Sequence, residues 1–316
     1  MAVPSGIYVT ELGQIVKSEI WASDGQSLCG WEKRISAMSG DVTHSIAERI
    51  RRDLGQLTPN ERRAAHRLLA DYPVAGLDTA ARFGKAAGVS APTVLRMIAK
   101  LGFASYGAFQ EALRGELAAR LETPLMKGGN LGNGDRLARF AEAAIANIRE
   151  TEANIAREEF DAVVALLADR TRPVHVLGGR FTDPIADYLV AHLRVLRPEV
   201  RRVVGERFAW LDQLLDIGKR DVFVVFDIRR YSEDLSALAG QAAKRGATVT
   251  LFTDQWLSPV SKVARRVLPA HVVAPSVWDS AAGILLLVEA VLSAVATELG
   301  AHARDRLTAI EAMREK

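Results

Sequence analysis

From residue 173 onward, short apolar runs alternate with helical segments, and this alternation limits the fold more than any other feature. The runs are PVHVLGG (173–179), EVRRVVG (199–205), DVFVVFD (221–227) and ATVTLFTD (247–254), with VLPAHVVA (267–274) as a weaker fifth. Each has the length of a strand, and helical sequence lies between them. The third run is apolar on both faces, which a central parallel strand requires. Strand–helix alternation of this kind builds a doubly wound α/β sheet with its ligand crevice at the C-terminal strand ends. The stretch VVFDIRRYS (224–232) therefore raises a question. Arg229 and Arg230 fall where a central strand opens onto that crevice.

Upstream, residues 45–120 are helical throughout. Thr58-Pro59-Asn60-Glu61 is a capping box with proline at the first helical position, and Tyr72-Pro73 ends the helix it starts, expected to run to Asp71. Asp78 is expected to cap the next helix, which Gly88 stops, and Ser90 to cap a further one that Gly102 ends. Residues 77–103 thus contain the parts of a helix-turn-helix. In its second helix Val94, Ile98 and Leu101 share the inward stripe. Pro92, Arg96 and Lys100, flanked by Thr93, face away. There Arg96 can reach guanine or phosphate, Thr93 a phosphate or base edge, and Lys100 a phosphate, while Ser90 offers its hydroxyl at the helix N-terminus. The plain alternative is a helical bundle with a solvated basic face. Charge favours DNA: residues 44–120 carry net +5, whereas residues 135–316 are neutral.

Residues 1–43 lack periodicity and are expected to be a flexible extension, with Met38 a possible natural start. The single cysteine, Cys29, excludes an internal disulfide and fits a reducing cytoplasm. No signal peptide is visible, and the longest apolar run, from Gly283, reads as a buried interface helix and not a membrane span. Residues 122–134 are glycine-rich and form a linker. They cannot be a phosphate loop, because no strand precedes them and no Gly-Lys-Ser/Thr follows. The expected order is extension (1–43), helix-turn-helix domain (44–121), linker (122–134) and α/β domain (135–316). The last begins with a long helix whose Leu137, Phe140, Ala144, Ile148 and Ile155 share one stripe.

LTPNERR, ADYP, AGVSAPTVLRMIAKLGF and YGAFQEALRGEL together resemble the N-terminal domain of the RpiR/MurR family of bacterial transcriptional regulators. Phe83-Gly84 departs from the family's usual leucine-alanine pair. The resemblance implies a flavodoxin-like SIS (sugar isomerase) domain downstream, of a kind that typically binds phosphosugars. Residues 135–300 resemble it in layout, but its ligand loops are altered. Where the family's first strand ends in Gly-x-Gly-x-Ser, this chain has Gly178 and Thr182 at the outer positions and Arg180 in place of the second glycine. Where the third strand ends in Ser-x-Ser-Gly-x-Thr, Asp227, Arg229 and Arg230 replace serine, serine and glycine, and Ser232 keeps the last hydroxyl. Arginine needs more room than serine and favours planar bidentate partners. The expected effector is therefore a small anion, a carboxylate or a phosphosugar. Arg180, Arg229 and Arg230 would anchor it, Thr182, Tyr231 and Ser232 would supply hydroxyls, and Asp279 and Ser280 of the loop before the last long helix would complete the site. A loop held together by internal pairing is the alternative.

No enzyme is expected. His175 lies inside a strand, His192 and His271 lack partners at catalytic spacing, and no metal-ligand spacing or cofactor motif occurs. The expected molecule is a cytoplasmic, ligand-responsive regulator that binds a palindromic double-stranded operator as a homodimer or homotetramer and controls catabolic genes. A sugar-phosphate isomerase with a helical appendage and a pure protein-interaction module are the competing readings.

Overall fold

The computed structural model describes residues 45–121, 134–205 and 207–314. The extension 1–43, with Cys29 and Met38, and linker residues 122–133 lie outside them. The helical domain contains α1 (Ile46–Asp53), α2 (Pro59–Ala70), α3 (Ala80–Ala87), α4 (Ala91–Lys100) and α5 (Tyr106–Leu121). Capping boxes start α1 at Ser45/Glu48 and α2 at Thr58/Glu61. The cap of α3 is Thr79, not Asp78: the Thr79 hydroxyl accepts from the Arg82 amide, while Asp78 accepts from the Thr79 amide. Gly88 closes α3 at φ +66°, a conformation that suits glycine. Gly84 is also needed for close approach, since a Cβ there would stand 2.9 Å from the Val89 carbonyl oxygen. Phe83, Val94, Met97, Ile98, Phe109 and Leu113 fill the core. Leu257, from the other domain, joins them.

The α/β domain opens with α6 (Arg136–Asn154) and α7 (Arg157–Ala168). Then follow β1 (Val174–Gly178), α8 (Asp183–Leu196), β2 (Val200–Arg202), α9 (Arg207–Leu214), β3 (Val222–Asp227), α10 (Glu233–Lys244), β4 (Thr248–Asp254) and β5 (Arg266–Ala270). Helices α11 (Ala282–Leu299) and α12 (Ala301–Arg314) complete it. All neighbouring strands are parallel, in the order β2-β1-β3-β4-β5. The sheet is covered on both faces, as the apolar runs implied. Val222, Val224 and Phe226 pack with α7, α8 and α11, whereas Phe223 and Val225 pack with α9 and α10. The second strand is only three residues long.

Most of the α6 stripe stays out of the core: Leu137 is 79% exposed and Phe140 and Ile148 are also exposed, whereas Ile155 at the helix end is buried in it. The buried face carries Asn147 and Thr151 instead, which hold the chain after β5 through the Val273 carbonyl (2.8 Å) and the His271 amide (2.9 Å). Helix α11 is long and apolar enough to span a membrane by length and composition alone, but Ile284, Val288, Val291 and Val295 are buried in the core.

Candidate functional site

The second helix of the helix-turn-helix, α4, presents Pro92, Leu95, Arg96, Ala99 and Lys100 outward, while Val94, Met97 and Ile98 are buried. Two of the residues expected to meet DNA are engaged within the protein. Thr93 is buried, with its hydroxyl 3.0 Å from that of Ser90 and 3.2 Å from Arg96 Nη2. It orders the Ser90–Arg96 surface and does not project from it. Lys100 Nζ stands 2.7 Å from Glu61 Oε2, the buried carboxylate of the α2 capping box. Its ammonium braces α4 against α2, while the side chain stays 41% exposed on the outer face. Glu61→Ala removes the capping box and strands Lys100. It should lower stability by about 1–2 kcal/mol, read from the shift in urea midpoint.

The order β2-β1-β3-β4-β5 places a topological switch between β1 and β3. A cavity of about 780 Å³ opens there, at the C-terminal ends of these two strands. Gly178–Asp183 after β1, Asp227–Arg230 with Ser232 after β3, and Val277–Asp279 before α11 line it, joined by Gly205, Trp210 and Leu235. Of the expected effector residues, Arg180, Thr182, Arg229, Arg230, Ser232 and Asp279 border the cavity; Tyr231 and Ser280 do not.

Their chemistry separates them. Arg180 and Arg230 are exposed and form no ion pair among the described residues; Arg180 lies over the Phe181 ring at 5.2 Å. Thr182 is buried, accepting from the Gly179 amide (2.8 Å) and donating to the Phe226 carbonyl (2.7 Å), so it ties the β1 loop to β3. Ser232 caps α10 by accepting from the Leu235 amide. Arg229 is not an available anchor. It is 6% exposed, and Asp279 takes its Nε and Nη2 in a fork of 2.8 and 2.7 Å. Its Nη1 donates to the carbonyl of Ala119 in α5, and its guanidinium lies 4.1 Å from the Trp256 ring centroid. Asp279 is therefore a counter-charge of Arg229. Ser280 faces inward and accepts from the Ala282 amide.

Asp254, the last residue of β4, organises the β3 loop. Its carboxylate accepts from the Arg229 amide (2.7 Å), the Trp256 amide (3.0 Å) and the Tyr231 hydroxyl (2.6 Å). Burial and this carboxylate push the Tyr231 hydroxyl well above its ordinary pKa. The Tyr231 ring meanwhile supports the Arg120 guanidinium of α5 at 4.6 Å. Asp227 lies at the base of the cavity, where burial raises its pKa to about 7. Its oxygens accept from the Ser258 hydroxyl and the Ser232 amide. Ser258 also starts the short helical turn at Pro259. The histidine expected to lack a partner, His271, has its Nε2 2.9 Å from Glu48 Oε1, and both are buried.

Residues 44–120 match the family described as helix-turn-helix domain, rpiR family, and residues 166–294 match the SIS domain. No curated protein sequence matches the chain. The sugar isomerase domain of an RpiR transcription factor from Sphaerobacter thermophilus is 23% identical, with a TM-score of 0.53 over 56% of this chain and 99% of that one. The Vibrio vulnificus NanR protein, solved with ManNAc-6P, is 18% identical, with a TM-score of 0.50 over 85% of this chain and 97% of that one. These likenesses show the fold, and the paired domains show the lineage. The chain belongs to the RpiR/MurR family of transcriptional regulators, a DNA-binding helix-turn-helix domain followed by a SIS domain.

Proposed function

We propose that the SIS domain senses a small anionic metabolite, a carboxylate or a phosphosugar, and that the protein in response controls catabolic genes from the cytoplasm. The observation that carries this reading is the pair Arg180 and Arg230. Both border the cavity at the β1/β3 switch and have no carboxylate partner among the described residues. Two guanidinium groups beside a crevice suit an anion. Thr182 and Ser232 shape the loops around it through their backbone contacts.

DNA binding falls to the outer face of α4, where Arg96 reaches base edges or phosphate and Ser90 and Pro92 border the helix N-terminus. A palindromic operator calls for a symmetric homodimer or homotetramer. The exposed apolar stripe of α6 supports assembly, because such a stripe is normally covered. Arg96→Ala should weaken operator binding by about 1–3 kcal/mol while leaving the fold intact. Fluorescence anisotropy over a salt series, with operator taken from the protein's own promoter region, tests this. Unchanged affinity and salt slope would remove Arg96 from the interface.

One observation favours an isomerase-like reading. Asp227, held near neutrality at the cavity base, has the pKa of a general acid–base group. Against it, its oxygens already accept from Ser258 and Ser232. Turnover of a sugar phosphate that disappears in Asp227→Asn would favour the enzyme.

A further inference from the structure

The walls of the β1/β3 cavity are aromatic to a degree that a polyol does not need. Phe181 and Trp278 stand at 57% and 54% exposure with ring centroids 5.2 Å apart. Exposed rings of this size mark a surface that is normally covered. Trp210 adds a third ring, and its buried indole Nε1 has no hydrogen-bond partner among the described residues. Ile228, Leu235 and Val277 extend the apolar lining.

The polar lining is engaged elsewhere. A sugar presents hydroxyls around its whole ring, and each needs a partner once water is excluded. Thr182 is used between Gly179 and Phe226. The Asp279 carboxylate holds Arg229, and the Asp183 carboxylate pairs with Arg202. With Asp227 taken up by the Ser258 hydroxyl and the Ser232 amide, what remains is a donor set, the exposed guanidinium groups of Arg180 and Arg230. Donors without matching acceptors, set among rings, suit a ligand with acceptors at one end and a flat apolar body.

We infer that the cavity takes an aromatic carboxylic acid, its carboxylate on Arg230 and Arg180 and its ring between Phe181, Trp278 and Trp210. This rests on the crevice being the sensing site, and it names the ligand class. The ring fills space that sugar hydroxyls would leave unsatisfied. The carboxylate matches the planar fork of arginine.

The test is titration of the full chain, followed by tryptophan fluorescence and thermal shift. Benzoate, phenylacetate and indole-3-acetate are compared with cyclohexylacetate and glucose 6-phosphate. At least one aromatic acid should bind saturably and raise the melting temperature. Its affinity should exceed those of cyclohexylacetate and glucose 6-phosphate by tenfold or more. Arg230→Ala and Trp278→Ala, both at exposed side chains, should each weaken it at least tenfold without moving the melting point of the free protein. Glucose 6-phosphate binding in an Arg230-dependent way, with no aromatic acid doing so, overturns the ligand class and leaves the crevice as the sensing site. Binding indifferent to both substitutions places the acid elsewhere and overturns the inference. If nothing in the panel binds, the inference fails as well. If operator binding by the full chain also ignores every anion, the sensing role fails with it.

Discussion

Asp279→Ala should lower the stability of the protein by about 3–5 kcal/mol, the usual penalty for removing one member of a buried ion pair. The pair is nearly closed to solvent: the side chains of Arg229 and Asp279 are 3% and 10% exposed. Two charge-assisted bonds in a fork are lost at once. Urea unfolding at pH 7 measures the effect. Replacing both partners, Arg229→Met with Asp279→Leu, should recover much of the loss, because the desolvated charge is then gone. A single-variant loss under about 1 kcal/mol would mean that water reaches the guanidinium, as at a surface pair.

Stability should also fall as pH rises from about 4 to about 8, and Asp227 should be a main cause. Its carboxyl is held at about 7 in the fold against an ordinary value of 3.8. The folded state thus binds the proton more tightly than the unfolded state. The contribution is complete below the unfolded value and disappears as pH climbs through the folded one. At 1.36 kcal/mol per pH unit it amounts to roughly 4 kcal/mol. Burial raises Glu116 in α5 to about 7 as well, so it acts in the same window. Asp227→Asn should flatten the profile, and adding Glu116→Gln should flatten it further. Equilibrium unfolding at pH 5 and pH 8 reads this directly. A slope identical in wild type and Asp227→Asn would show that Asp227 ionises freely in the native state.

Period and punctuation carried the architecture. Thr58-Pro59 and Gly88 mark helix boundaries through local chemistry, and DVFVVFD declares a strand buried on both faces. In residues 135–154 amphipathicity reveals a stripe but not what covers it. The candidate site was legible in position and not in wiring. Sequence located Arg180 and Arg230 at two strand ends that pair in space. It could not reveal that Asp279, fifty positions beyond Arg229, claims that arginine, or that Glu61 claims Lys100. Such long-range pairings leave no periodic trace. Phe181, Trp210 and Trp278 were missed for the same reason: each stands in a different segment, and only the sheet brings them to one cavity.

Leu257 sits in the core of the helical domain although it belongs to the loop after β4. Nearby, Lys262 meets Asp71 and His271 meets Glu48. A fragment ending at residue 121 would lose all three, and with them a plug of its own interior. Grafting this DNA-reading module onto another sensor would transplant an unfinished core. Domain-swap chimaeras should therefore keep the 253–272 segment with the helices they borrow.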